Sequence, residues 1–404
     1  MKLDSQRKLD RIVGTFVCRL FSIFSRKRRH VVLKNKPGKI LVILLSEMGS
    51  LVLACPMFDF IKRRYPEASI YVILFKQNRE VLELLHAVPS QNILEVRNAS
   101  FTEFFLSSVR ALIRLRQLKV DVVIDCELFS RISSIYSFLT GAGIRVGFHP
   151  HTQEGLFRGD FINRPVLYNP YNHISRQFIA LVEAIGSDEI PTVKSKITGG
   201  NFKIPPLKVT LSEIEEVQER FMSDFPNITG RRKLVLIYPG GGLLPIRAWP
   251  IEYFCRLAKD FVQNGYTVGI IGLDEDKKLA NEILKDCRHN NCIDLTGYTE
   301  SIKKLLIIFH FASLLITNDG GPGHFSAMTP ISTIVLFGPE TPTLYGSLTP
   351  NSFNFYVPLA CSPCLTAYNH RNSPCNGNNL CMKNISPEAV LAKAYEILES
   401  QQGS

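Results

Sequence analysis

The sequence predicts an α/β protein of two doubly wound, parallel-sheet halves facing across a cleft. Three observations predict it. From Lys39 onward short apolar runs alternate with helical stretches. The runs are apolar throughout rather than at every second position, as strands covered on both faces must be. The alternation breaks between residues 148 and about 210 and then restarts, giving two similar halves. With 404 residues, 45% apolar and 21% charged, the chain can bury cores for two domains. Boundaries are expected at 1–36 for an N-terminal segment, 37–205 for the first domain and 206–404 for the second.

The N-terminal segment, "LDRIVGTFVCRLFSIFSRKRRH", places Leu9, Ile12, Val13, Phe16, Val17, Leu20, Phe21 and Phe24 in one helical stripe. Arg7, Lys8, Arg11, Arg19 and the run Arg26 to Arg29 accompany it. Residues 1–39 carry a net charge of +10 out of the chain's +11, so the basicity belongs to this tail and is no nucleic-acid signal. A large apolar face beside clustered cations suits a helix lying in the headgroup plane of an anionic bilayer. The plainer alternative is a helix packed on its own domain with its charges in water. Arg19 interrupts an apolar stretch already shorter than the ~20 residues a crossing needs, and no small-residue cleavage site follows.

In the first half "KILVILL", "SIYVILF", "NILEV" and "DVVIDC" read as strands. The stretches around "LVLACPMFDFIKRRYP", "REVLELLHAV" and "FFLSSVRALIRLRQLK" read as helices. After the break come strand "KLVLIYPGGG", helix "IEYFCRLAKDFVQNG", strand "TVGIIG" and helix "DEDKKLANEILKDC". Strand "CIDLTG", helix "SIKKLLIIFHFA", and strands "SLLITND" and "STIVLFG" complete the second half.

The chemistry is expected at strand ends, where such sheets bind ligands. "YPGGGLLPIRAWP" supplies Gly240, Gly241, Gly242 and Arg247 and starts a helix near Pro250. "ITNDGGPGHF" supplies Asn318, Asp319, Gly320, Gly321, Gly323 and His324 and starts one near Pro322. Helix starts of this kind offer amides and partial positive charge to phosphate, and an arginine adds a fork of donors. Together they are expected to hold a diphosphate. In the first half "LLSEMGSLVLACP" presents Glu47, Gly49 and Ser50, and "DVVIDCELFSR" presents Asp125, Glu127 and Arg131. Carboxylates at the top of a sheet can deprotonate a hydroxyl, or can simply cap the next helix.

Other enzyme signatures fail. There is no GxxxxGK[ST], HExxH or GxSxG, and "GAGIRVG" misses the GxGxxG spacing by one residue. Without that redox-cofactor fingerprint a nucleotide-sugar epimerase or other α/β enzyme is disfavoured. Six scattered cysteines fit buried small hydrophobes. Cys361, Cys364, Cys375 and Cys381, within twenty-one residues, could hold zinc or an iron–sulfur cluster, close two disulfides, or stay reduced.

The linked order of "ILVILLSEMGS", "RVGF", "YPGGG", "RAWP", "LTG", "ITNDGGPGHFSAM" and "IVLFGPETP" resembles glycosyltransferase family 9, the lipopolysaccharide heptosyltransferases, over roughly residues 39 to 395. The segment "CMKNISPEAV" also looks like the C-terminal part of many members. The resemblance implies a GT-B architecture of two Rossmann-like domains, with acceptor on the first and nucleotide-sugar donor on the second. It further implies inversion at the anomeric carbon, usually no catalytic metal, and a C-terminal helix, here "PEAVLAKAYEILES", packing back toward the first domain. By the same resemblance Asp319 contacts the donor sugar, Asp274 holds the ribose, and Thr296 and Gly297 form the Leu-Thr-Gly turn. This chain has glycine at 320, where the family has threonine, and Arg247 where lysine is frequent. It has Gly49-Ser50 where heptosyltransferases carry Gly-Asp, the aspartate being the presumed base. A serine is no equivalent base, and Glu47, two residues before the glycine, is the expected substitute ahead of Glu127 and Asp125.

The expected function is inverting transfer of a sugar, heptose or related, from a nucleotide-diphosphate donor to a hydroxyl of a membrane-associated glycan or glycolipid in bacterial cell-envelope synthesis. Glu47, Arg247 and Asp319 carry the chemistry, and the enzyme works at the inner face of the cytoplasmic membrane. The alternative is an inactive nucleotide-sugar or glycan-binding protein on the same scaffold.

Overall fold

The computed structural model describes residues 7–25, 35–45, 47–149, 157–187, 189, 191–196, 202–226 and 234–401. It divides into two compact units. Unit 1 runs to Phe202 and includes Ala367–Arg371; unit 2 holds Lys203–Thr366 and the chain from Asn372 on. The basic run Arg26 to Arg29 lies outside the described residues.

Unit 1 opens with a continuous helix: α1 (residues 7–9), a π-helical turn Asp10–Gly14, and α2 (Thr15–Ser25). Then follow β1 (Lys39–Ile43), α3 (Met48–Leu53), α4 (Cys55–Arg64), β2 (Ser69–Phe75), α5 (Arg79–Leu84), β3 (Ile93–Val96) and α6 (Phe101–Leu118). The unit continues with β4 (Val122–Asp125), α7 (Arg131–Leu139), β5 (Ile144–Phe148), β6 (Arg164–Val166) and α8 (Ile174–Glu183). Its sheet is parallel throughout, in the order β3-β2-β1-β4-β5-β6. Ile40, Leu41, Val42 and Ile43 have no exposed surface, which is why the β1 run is apolar at every position.

The N-terminal helix is docked on α7. Cys18 is buried with Ile135 and Phe161, and Phe21 stacks on Phe138 at 4.6 Å between ring centroids. Gly14 makes the close approach possible, because a Cβ there would lie 2.8 Å from Arg131 Cβ. The Asp10 carboxylate accepts from the backbone N–H groups of Arg131 (3.0 Å) and Ile132 (2.8 Å), capping the amino end of α7 from another helix. Asp10→Ala should therefore lower stability by about 1 to 2 kcal/mol in urea titrations. A loss under ~0.3 kcal/mol would show that water replaces the cap.

Only part of the expected stripe faces inward. Val17 and Phe21 pack on the unit, whereas Ile12, Phe16 and Phe24 are 71%, 69% and 71% exposed. The helix is thus both packed on its own domain and apolar on its outer face. Among the described residues no helix is long and apolar enough to cross a membrane.

Unit 2 contains α9 (Leu211–Asp224), β7 (Leu234–Tyr238), α10 (Ile251–Gln263), β8 (Thr267–Gly272), α11 (Lys277–Cys287) and β9 (Cys292–Thr296). After these come α12 (Ile302–Phe311), β10 (Leu314–Asn318), α13 (Gly321–Phe325), β11 (Ser332–Phe337), α14 (Pro342–Tyr345), β12 (Ser352–Tyr356), α15 (Leu380–Lys383) and α16 (Pro387–Ser400). Its sheet order, β12-β11-β10-β7-β8-β9, is that of unit 1. Numbered within each unit, both read 3-2-1-4-5-6, the doubly wound Rossmann order expected from the alternation. The face of α16 carrying Val390, Ala394, Ile397 and Leu398 is buried in unit 2's own core with Phe254 and Phe261. Those small and branched side chains complete the layer over α10, and this burial fixes the helix there.

Candidate functional site

In the 3-2-1-4-5-6 order the chain reverses direction between the first and fourth strands, and ligands bind in the crevice at their carboxyl ends. That point lies between β7 and β10 in unit 2 and between β1 and β4 in unit 1. The loops singled out in the sequence leave these strand pairs.

In unit 2 Tyr238 lies opposite Thr317, so the Gly240–Gly242 loop and the Asp319–Gly321 turn start side by side. Asn318, fully buried, ties them together. Its Nδ2 donates to the carbonyls of Pro239 and Gly240, both at 3.0 Å, and its Oδ1 accepts from Trp249 N at 3.0 Å. Its bonds shape the loops. Gly240 has no room for a side chain, since a Cβ would lie 2.7 Å from the Tyr238 hydroxyl and 2.8 Å from Asp276 Oδ1. Trp249, anchored through Nε1 to Ile385 O at 3.0 Å, holds the far end of the loop.

Arg247 is buried at this point between two carboxylates. Its Nη2 donates to Glu340 Oε2, and its Nε lies 3.7 Å from Asp319 Oδ2. His324 Nε2 is 3.9 Å from Asp319 Oδ1. Two carboxylates thus orient one guanidinium. Gly320, Gly321 and Gly323 lead into α13, which packs close to the sheet: a Cβ on Gly323 would be 3.3 Å from Thr317 Cγ2.

The other expected donor residues end β8 and β9. Asp274 is 76% exposed and paired with Lys277 at 2.7 Å. Gly297, at φ +69°, abuts it so closely that a Cβ would fall 2.3 Å from Asp274 Oδ1. Thr296 turns inward, its N and Oγ1 both donating to Asp294 Oδ1 at 2.8 and 2.6 Å. Sequence reasoning missed Glu340, Asp276 and Tyr238. Asp276 sits beside Gly240, and burial raises its pKa. Burial, with the Asp276 carboxylate nearby, pushes the Tyr238 hydroxyl up to about 12. The local signals were the "DED" at a helix start and a carboxylate in "GPETP" after β11.

In unit 1 Glu47 stands immediately before α3 and makes no side-chain cap. Its Oε1 instead accepts from Arg371 Nη1. Arg371 was not anticipated. It arrives with the Ala367–Arg371 segment, which is fixed by His370 stacked on Phe129 at 5.3 Å and Tyr368 against Tyr168 at 5.6 Å. Gly49 and Ser50 follow within α3, the first buried and the second half-buried. On the neighbouring strand Asp125 is fully buried. It accepts from Arg158 Nη2, Ser133 Oγ (3.1 Å) and Glu127 N (3.1 Å). Its burial pushes the carboxyl up to about 6, against the pull of Arg158. Glu127 Oε1 accepts from Leu45 N at 2.7 Å, joining the two loops. Arg131 is buried against Asp10. Of the acceptor-side set, Glu47, Ser50 and Glu127 keep exposed surface, whereas Asp125 and Arg131 are closed into internal pairs.

The metal site, one of the readings open for the four clustered cysteines, is not assembled among the described residues. All are free thiols, and among the described residues no three His, Cys, Asp or Glu side chains gather to hold an ion. The reason is local. Cys364 pairs with Ser373 at 3.1 Å, Cys375 with Asn379 at 3.6 Å, Cys381 is buried with α15 in the core, and Cys361 is exposed.

Residues 109–373 match the family described as glycosyltransferase family 9 (heptosyltransferase). The chain belongs to this family. As a member it is a glycosyltransferase of the GT-B fold class, as the strand-end motifs led us to expect. Lipooligosaccharide heptosyltransferase 2 of Campylobacter jejuni is 30% identical over 176 residues, 42% of this chain and 52% of that relative, so the match spans about half its length. Lipopolysaccharide heptosyltransferase 2 of Salmonella typhimurium is 22% identical over 380 residues, covering 90% of this chain and 99% of the relative. The solved ADP-heptose lipopolysaccharide heptosyltransferase II of E. coli superposes with a TM-score of 0.67 at 20% identity, covering 90% and 99% of the two chains.

Proposed function

We propose that this glycosyltransferase moves heptose, or a related sugar, with inversion from an ADP-linked donor to a hydroxyl of a lipopolysaccharide-type acceptor. The observation that carries the reading is the gathering of two glycine-rich loops, Arg247 and Asp319 at the switch point of unit 2. In unit 2 the amides of Gly240–Gly242 and Gly320–Gly323, with Arg247, bind the diphosphate. Asp319 contacts the donor sugar, His324 orients Asp319, and Asp274 with the Thr296–Gly297 turn receives the nucleoside. Negative charge grows on the leaving phosphate as the glycosidic bond breaks, so one preoriented donor there lowers the barrier by about 3 kcal/mol. In unit 1 Glu47 takes the proton of the attacking hydroxyl. Arg371 Nη1, donating to Glu47 Oε1, holds the carboxylate in place. Names carried by relatives support the ADP-heptose donor and the lipopolysaccharide acceptor.

The exposed apolar face of the N-terminal helix supports a second part of the reading: attachment to the inner surface of the cytoplasmic membrane, beside an amphiphilic acceptor. One observation favours the rival, an inactive sugar-nucleotide-binding protein, namely Ser50 where the family resemblance puts aspartate.

A thermal-shift panel of ADP-, UDP-, GDP- and CMP-sugars, followed by nucleotide release with acceptor, tests both. An ADP-sugar at a hundredfold excess over Kd should stabilise the protein by about 2.7 kcal/mol, and ADP should be released on adding acceptor. A shift without release selects the binding protein, and a shift by another nucleotide alone removes the ADP donor.

A further inference from the structure

Helix α6 carries a second exposed apolar stripe. Phe101, Phe105, Val109 and Ile113 recur every four residues with Leu106 beside them, between 38% and 58% exposed. Its opposite face, with Ala111 and Leu115, closes the core of unit 1. A contiguous stripe of large apolar side chains in water marks an interaction surface. Its position decides which one. Through Ser108 and Arg116, α6 is hydrogen-bonded to Tyr136 and the Leu139 carbonyl of α7. The same α7 carries the N-terminal helix on Asp10 and Phe138. Two exposed apolar faces therefore flank one helix.

Charge selects the partner. Between residues 101 and 119 four cations, Arg110, Arg114, Arg116 and Lys119, stand against one acid, Glu103. Lys8, Arg11 and Arg19 accompany the N-terminal helix. A symmetric contact with a second copy would set these cations against themselves, whereas an anionic bilayer supplies the opposite charge together with an apolar layer.

We propose that α6 is a second membrane-binding element, its Phe101–Ile113 stripe entering the headgroup boundary of an anionic bilayer alongside the N-terminal helix. The inference rests on the membrane-attachment reading and adds to it. Two elements on one rigid support bind far more tightly than either alone, because docking of one presents the other at high effective concentration. They also fix which face of unit 1 meets the lipid.

The test uses the full-length protein and phosphatidylcholine vesicles containing phosphatidylglycerol. Phe105→Glu/Ile113→Glu, both at exposed positions, should lower the partition coefficient about tenfold or more while the melting temperature stays unchanged. In a separate Phe105→Trp variant, brominated lipid should quench the new indole; the chain's one native tryptophan, Trp249, is 2% exposed. If the α6 double variant partitions normally and the introduced indole is not quenched, while Ile12→Glu/Phe16→Glu abolishes binding, the α6 inference is overturned and membrane attachment stands. If the unmodified protein does not bind vesicles, both are overturned. If the α6 double variant instead dissociates a dimer in light scattering without altering sedimentation, the stripe is a self-interface and the inference is likewise overturned.

Discussion

Glu47→Gln is expected to leave the fold and donor affinity intact while lowering kcat by about 10²- to 10⁴-fold, the range for loss of a positioned base. The substitution isolates the proton. Glutamine keeps an oxygen to accept from Arg371 Nη1, so the Ala367–Arg371 segment retains its tie to the loop after β1. What is lost is the ability to receive a proton from an attacking alcohol. The acidic limb that a titrating base imposes on the pH profile of kcat/KM should vanish with it. A rival account makes Glu47 only the anchor for Arg371. It predicts little change in Glu47→Gln but a large loss in Arg371→Met, which removes the other half of the pair. Steady-state kinetics of the two variants, with donor affinity measured separately, distinguish the accounts. Wild-type turnover in Glu47→Gln would remove it as the base and turn attention to Glu127, which is bonded to Leu45 N on the same loop.

What the sequence made legible follows from how far each signal reaches along the chain. Strands such as β1 and β10 are buried on both faces, so nearly every residue in them is apolar and the alternation with helices shows the doubly wound class directly. The loops after β7 and β10 were legible because glycine is required where backbone crowds backbone or side chain, as at Gly240. The partners of these loops were not. Arg247 meets Glu340 from 93 positions away, Glu47 meets Arg371 from 324, and Arg131 meets Asp10 from 121. No local period encodes such meetings. The cysteine segment shows the converse: a Cys-x-x-Cys spacing is a local signature, but ligation requires two pairs to converge, and here the thiols face separate partners. For the N-terminal helix the period gave one stripe, yet Gly14 and the π-helical turn set which part of it meets α7.

The largest stability effect is expected from Arg158→Met, about 3 to 5 kcal/mol, a substantial fraction of the ~5 to 15 kcal/mol typical of a folded domain. Arg158 and Asp125 have no exposed side-chain surface. One guanidinium serves Asp125, Ser133 Oγ at 2.8 Å, Ser130 O at 2.9 Å and Phe148 O at 3.3 Å, and so staples the ends of β4 and β5 to the loop before α7. Methionine replaces the stem but leaves Asp125 without its cation. Burial already pushes this carboxyl up to about 6 with Arg158 present, and losing the cation raises it further. A carboxyl whose folded pKa lies above its unfolded value contributes stability that is full below the unfolded value and is lost as pH rises through the folded one. For the wild type that loss falls between about 4, the unfolded value, and about 6, with no further change above. In Arg158→Met it must continue above 6, so the gap between variant and wild type should widen from pH 5 to pH 8 in urea titrations. Arg158→Met/Asp125→Leu removes both charges and should recover much of the loss, because a buried pair replaced by apolar groups is often neutral. If the single variant costs under ~1 kcal/mol, or the double variant recovers nothing, the pair is not the staple that its burial and hydrogen bonds describe.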